Sequence, residues 1–189
     1  MAQHTGNESF LMEGSPCGFT MLDFWQFQFS NIYDLQEHIA EFLVAKALGV
    51  KEPHNRSGWT LWDIDYEGWR IEVKETGYYY SWQEKGKISE QRTWSITKAY
   101  TDYKNPNSEY KRQNDVYVFC LNTGKNEKDS YPLELENWEF YIIPTSKINE
   151  ECRDNKTISL SKVQKLTKKV SFSEIKRVID SLKKDCNIK

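Results

Sequence analysis

Three histidines, four scattered cysteines and no long apolar run remove several classes of protein before any motif is considered. His4, His38 and His54 stand apart from one another, which argues against a histidine-based triad. Cys17, Cys120, Cys152 and Cys186 contain no C-x-x-C pair, so neither a zinc site nor a disulfide framework is indicated. No apolar stretch is long enough to span a bilayer, and the N-terminus lacks the basic-then-apolar order of a signal peptide, so the expectation is a cytoplasmic protein with no membrane partner. A Gly-rich phosphate loop is missing, which argues against an NTPase. Positive charge is not in excess either. With 26 Lys and Arg against 28 Asp and Glu the net charge is −2, and any affinity for nucleic acid has to come from local patches.

What the chain does have is aromatic mass, 7 Trp and 11 Tyr in 189 residues, enough to fill a real core and to make disorder an unsuitable description. No repeat or linker divides it. The expected organisation is a loosely ordered extension over residues 1–20 followed by a single domain over 21–189. Met21 to Phe29 is too apolar to be free and is expected to pack, or to join a dimer contact.

The most informative stretch runs from Trp62 to Lys74. Glu67-Gly68 is a turn signal between two runs that alternate polar and apolar residues, which predicts a β-hairpin. A two-residue loop sets Tyr66 opposite Trp69, Asp65 opposite Arg70, Ile64 opposite Ile71 and Asp63 opposite Glu72. Alternation along each strand then places Asp63, Asp65, Arg70, Glu72 and Lys74 on one face and Ile64, Ile71 and Val73 on the other. Asp65 and Arg70 satisfy each other. Asp63 and Glu72 repel, and such a pair asks for a cation, a shared proton or a nearby lysine. Two carboxylates suit a hard divalent cation, and Lys74 stands where it could orient a water or stabilise developing charge, which is the chemistry of phosphodiester cleavage. Upstream, Ile39 to Leu48 is apolar almost all round, as in a helix buried on most sides, and Gly49 supplies its stop. Glu41 is the anomaly within that run, because a buried carboxylate needs a partner or a metal. Arg70, Lys46 and Lys74 are the candidate ion-pair partners.

These residues resemble the PD-(D/E)XK, or restriction-endonuclease-like, nuclease superfamily, whose signature is an Asp on one strand of a hairpin and Glu-x-Lys on the next, preceded by a helix carrying a further Glu. Ala-Glu-Phe-Leu-Val-Ala-Lys-Ala-Leu-Gly at 40–49, Trp62-Asp63, Ile71-Glu72-Val73-Lys74 and Ser81-Trp82 carry the resemblance, over roughly residues 24 to 145. Tyr80 departs from it, standing where a Gln is expected. The resemblance implies an α/β fold with a restriction-endonuclease-like core, a mixed central β-sheet flanked by α-helices. It also implies a Mg²⁺-dependent deoxyribonuclease, of the restriction or defence kind, that also accepts Mn²⁺. Glu41, Asp63, Glu72 and Lys74 would be its catalytic residues. Asp63, Glu72 and the Val73 carbonyl would hold the metal, with Glu41 binding directly or through water, and Lys74 would assist the attacking water. DNA is the expected partner, and a homodimer suits a cutter of two antiparallel strands. The alternative is a catalytically silent module of the same fold that holds nucleic acid or protein. A domain acting on nucleotides or RNA is a third reading.

The loop after the motif strand, with Ser81, Gln83 and Lys85, is the expected place of phosphate contacts. Trp94 to Thr97 alternates like a strand. Asp115 to Leu121 and Trp138 to Pro144 read as buried strands. Ser161 to Leu166 and Ser173 to Leu182 read as helices, the second capped by Ser171 or Ser173. Basic residues gather between Lys85 and Arg112 and between Lys162 and Lys184, in runs that most often form solvated faces.

Overall fold

Seven consecutive buried residues, Val116 to Asn122, decide the architecture, because a strand with no exposed side needs a layer on each face. The computed structural model describes residues 4–50, 61–80, 92–105 and 107–187. They divide into two compact units, 1–35 and 36–189.

The first unit is a hairpin followed by helical turns. Strands β1 (Ser9–Met12) and β2 (Ser15–Thr20) pair antiparallel about Glu13-Gly14, both at positive φ. Helix α1 (Met21–Gln28) follows, with a capping box in which Thr20 and Asp23 satisfy each other's backbone N–H. A 3₁₀ turn, Ile32–Leu35, ends the unit. Residues 1–20, expected as an extension, therefore contain a strand pair, and the division falls after Leu35 rather than at residue 20.

In the second unit α2 (Gln36–Leu48) is closed by Gly49 at φ +73°. Strands β3 (Ile64–Tyr66) and β4 (Trp69–Gly77) form the predicted hairpin in the predicted register, and Glu67 and Gly68 both take positive φ, as a two-residue turn of the I′ type demands. Next come β5 (Thr93–Ser95), β6 (Ala99–Tyr100) and β7 (Tyr110–Lys111), then β8 (Val116–Asn122) and β9 (Trp138–Pro144). Helix α3 (Thr145–Cys152), strand β10 (Thr157–Ser159), α4 (Leu160–Leu166) and α5 (Ile175–Asn187) complete the unit. Ser171, not Ser173, makes the capping box with Glu174 that leads into α5.

The central sheet has the order β3-β4-β8-β9, with β4 and β8 parallel and the outer pairs antiparallel. It is a mixed sheet flanked by helices, as expected. On one face Ile71, Val73, Val116, Val118 and Phe140 pack with Ala40, Leu43 and Val44 of α2 and Ile175 and Ile179 of α5. On the other, Tyr117, Phe119, Tyr141 and Ile143 pack with Trp94 and Ile96, and with Ile148, Ile158 and Val163 from α3, β10 and α4. The second layer is pinned by Arg112, which is 5% exposed. Its Nε donates to Ile96 O at 2.7 Å, Nη1 to Asn149 Oδ1 and Arg153 O, and Nη2 to Asn155 O. All these acceptors are uncharged. One guanidinium thus joins the segment after β5, helix α3 and the turn into β10.

Arg112→Met would remove all four hydrogen bonds and leave the buried Ile96 carbonyl without this donor, at a cost of about 3 kcal/mol. Arg112→Lys should recover little of it, because an ammonium cannot reproduce the planar fork. A lower urea midpoint for both variants is the expected result; a Lys variant as stable as the parent would contradict it.

Candidate active site

The hairpin is asymmetric, and the site lies where it becomes so. Strand β3 starts only at Ile64, opposite Ile71, while β4 continues to Gly77, so among the described residues the outer edge of β4 beyond Ile71 has no strand partner. Asp63 stands one residue outside β3. Its N–H donates to Ile71 O at 3.0 Å, and its carboxylate turns onto the bare edge, where Oδ2 accepts the Val73 N–H at 2.7 Å. A carboxylate thus takes the place of a strand. The N–H and carbonyl of one strand residue share an edge, so the Val73 carbonyl points to this same edge.

Glu72 and Lys74 lie on the opposite face of β4 from Val73, and in register with Tyr117 and Phe119 of β8. They bind each other, Lys74 Nζ to Glu72 Oε1 at 2.5 Å, with both side chains largely withdrawn from solvent. Burial pushes the Glu72 carboxyl up to about 7; the Lys74 ammonium opposes this, while the charges of Asp63 and Glu41 add to it. Burial alone would lower the Lys74 ammonium, yet the Glu72 carboxylate, with help from Asp63 and Glu37, holds it above its ordinary value. Glu41, half-buried on α2 where that helix packs on β4, therefore acts on Glu72 through its field.

The chain brings Glu41, Asp63, Glu72 and Lys74 into one electrostatic neighbourhood, three acids against one base. Ligating geometry is a stricter matter: among the described residues no three His, Cys, Asp or Glu side chains converge closely enough to hold a metal ion. Lys74 engages Glu72 and the Val73 N–H engages Asp63, so the two carboxylates are turned toward protein donors. Ser81, Gln83 and Lys85 lie outside the described residues.

Two expectations are corrected. Arg70 stands opposite Asp65 in register, but its guanidinium chelates Asp115, Nε to Oδ2 at 2.9 Å and Nη2 to Oδ1 at 2.6 Å, and its N–H donates to the same carboxylate. Asp65 accepts from Trp62 Nε1 at 2.8 Å and adds its charge to that of Asp115 in stabilising the Arg70 guanidinium. The reason is position: Asp115 precedes β8 in line with Arg70, where a bidentate carboxylate outcompetes a single cross-strand contact. The basic runs are also less free than their composition suggests. Lys98, Lys111, Lys162, Lys169, Lys176, Arg177 and Lys183 all pair with acids, and Arg92 and Arg112 are buried.

Sequence reasoning missed three features. A cavity of about 210 Å³ opens beside Glu72, walled by Lys111, Arg112, Gln113, Asn114 and Tyr117. Its signal was present, since these residues immediately precede or begin the buried strand parallel to the motif strand. Glu75 is the second. It faces α2, and burial, with the Glu37 charge, pushes its carboxyl up to about 8, against the opposing influence of Tyr80 and Arg92. Gln36 is the third, and its buried Oε1, like Glu75 Oε1, has no hydrogen-bond partner among the described residues. Both oxygens overlook Gly77, where a Cβ would meet Gln36 Oε1 at 3.0 Å. A side chain at Gly77 would therefore require the Gln36 amide to shift by a few tenths of an ångström.

No family model matches the chain, and no curated protein or solved structure matches it either. No described helix is long and apolar enough to cross a membrane.

With its carboxyl raised from 4.5 to about 7, native Glu72 holds a proton more tightly than the unfolded chain does. The stability this confers is complete below about pH 4.5 and lost as pH rises through about 7, with a slope of at most ~1.4 kcal/mol per pH unit. Without divalent cations, Glu72→Gln should therefore show a smaller drop in melting temperature than the parent between about pH 5 and 8. An equally steep drop would assign the titration elsewhere.

Proposed function

We propose that this protein is a metal-dependent phosphodiesterase of the PD-(D/E)XK type, a deoxyribonuclease with a restriction-endonuclease-like core, acting through Asp63, Glu72, Lys74 and Glu41. One observation carries the reading: the edge of β4 exposed by the early end of β3 gathers an acidic excess around a single lysine. A half-buried carboxyl raised to about 7 among other acids is energetically poorly placed without a cation.

The donor set fits Mg²⁺ or Mn²⁺ by its chemistry, since Asp63, Glu72 and the Val73 carbonyl are hard oxygen ligands and Glu41 adds charge from behind. When bound, the ion would supply Lewis-acid stabilisation of charge on the phosphoryl and leaving oxygens. A cation on Glu72 would take the place now held by the Lys74 ammonium. Lys74 would then orient a water against a phosphate and stabilise the anionic transition state. The Val73 N–H holds the Asp63 carboxylate in place, which would orient it as a metal ligand.

A silent binding module is favoured by a different observation, the Glu72–Lys74 pair together with the lack of three convergent ligands among the described residues. Calorimetric titration with Mn²⁺ separates the two, since a module of that kind binds no metal at Glu72.

Purified protein is expected to cut DNA only with Mg²⁺ or Mn²⁺. Lys74→Ala and Glu72→Ala should each reduce cleavage by ~10²-fold or more with little change in melting temperature, because neither side chain belongs to an apolar core. Supercoiled, linear and single-stranded DNA and RNA serve as substrates. Cleavage that survives both substitutions would overturn the assignment.

A further inference from the structure

The ribbon β6–β7 is the part of the second unit that its own packing explains least. All four strand residues are exposed, and the intervening segment closes on itself, Asp102 N–H donating to Ser108 Oγ, which in turn donates to Asp102 O. Its root is firm, with Gln113 Nε2 donating to Tyr100 O at 2.9 Å, and both Ala99 and Lys111 line the cavity beside Glu72. Tyr100 and Tyr110 meet across the ribbon with ring centroids 4.9 Å apart and planes tilted by 51°, yet each stays nearly half exposed. Such a cross-strand pair stabilises a ribbon by up to about 1 kcal/mol, which accounts for their mutual contact. It does not account for Tyr103, 81% exposed at the tip beside Lys104.

Charge follows the same path. Lys104 lies at the tip and Lys111 at the root, where it pairs with the exposed Glu109. Arg112 forms part of the cavity wall and brings its positive charge there, held by hydrogen bonds to uncharged acceptors and within the field of Asp154. Open tyrosine faces stack on bases, and neighbouring cations meet phosphates. In a duplex the base faces are already stacked on each other, so only an unpaired strand can use these rings.

Resting on the nuclease reading above, we propose that the β6–β7 ribbon is a stacking platform for single-stranded nucleic acid, with bases on Tyr100, Tyr103 and Tyr110 and the strand led past Lys111 into the Glu72 cavity. The substrate class is then an unpaired strand rather than an intact duplex.

The test measures binding without divalent metal, so that cleavage plays no part. Full-length protein is titrated against a labelled single strand of about 12 nucleotides and against the duplex of the same sequence. The single strand should bind about tenfold more tightly than the duplex, and the Tyr100→Ala/Tyr103→Ala/Tyr110→Ala variant should lose about tenfold or more of that affinity, the effect of one stacked base. The corresponding triple Phe variant should retain it, and melting curves establish that both variants fold. Equal binding by the triple Ala variant, preference for duplex, or no binding of the single strand by the parent would overturn the platform. Cleavage with metal is scored separately, against Lys74→Ala. Tyrosine-dependent binding without cleavage sinks the nuclease reading alone, whereas metal-dependent cleavage that the tyrosine changes leave untouched sinks the platform alone.

Discussion

The parallel pairing of β4 with β8 is the constraint from which the second unit is built. It joins Ile71–Gly77 to Val116–Asn122 residue by residue, and because β8 is buried on both faces it requires both covering layers. The chelate of Asp115 by Arg70 holds the start of this pairing, where β8 enters beside the hairpin. A bidentate charge-assisted pair suits that place, since it fixes position and angle together. With β4 secured on its inner side, its outer edge can be left partly bare.

That bare edge is what the site uses. Strand edges are usually blunted or covered, and among the described residues the Asp63 carboxylate meets this one. Asp63 satisfies the Val73 N–H without adding a strand, and so keeps a charged group where a neighbouring strand would have placed another peptide. Beside it Glu72 and Lys74 share a half-buried position, and Glu41 and Glu37 contribute negative charge from α2. Glu75 lies behind, on the α2 side of the same strand. Such an accumulation opposes folding, since burial disfavours each charged carboxylate.

The cavity and the ribbon extend this arrangement outward. Arg112 does two things at once, tying the second layer together with hydrogen bonds to uncharged acceptors and keeping a positive charge at the wall beside Glu72. A lysine could not combine these tasks, because it lacks the fork that reaches several acceptors. The ribbon above carries tyrosines that no core needs.

The hairpin register from Ile64 to Ile71, the turn at Glu67-Gly68, helix α2, the two buried strands and the stripe of α5 all follow from the chain's own periodicity and turn chemistry. They are local properties, set by which side chains alternate or recur and by which residues accept positive φ. So too the candidate residues, since alternation alone puts Glu72 and Lys74 on one face. Tertiary structure decided the rest. Nothing local marks helix α3, whose Thr-Ser-Lys-Ile-Asn-Glu-Glu-Cys is mostly polar and which buries little beyond Thr145, Ile148 and Cys152. Arg70 gained Asp115 as its bidentate partner, and Arg112 left an apparently solvated run for the interior, because hydrogen-bond partners distant in sequence became near in space. The end of β3 one residue short of Asp63, which turns an opposed carboxylate pair into an edge site, depends on the same long-range packing.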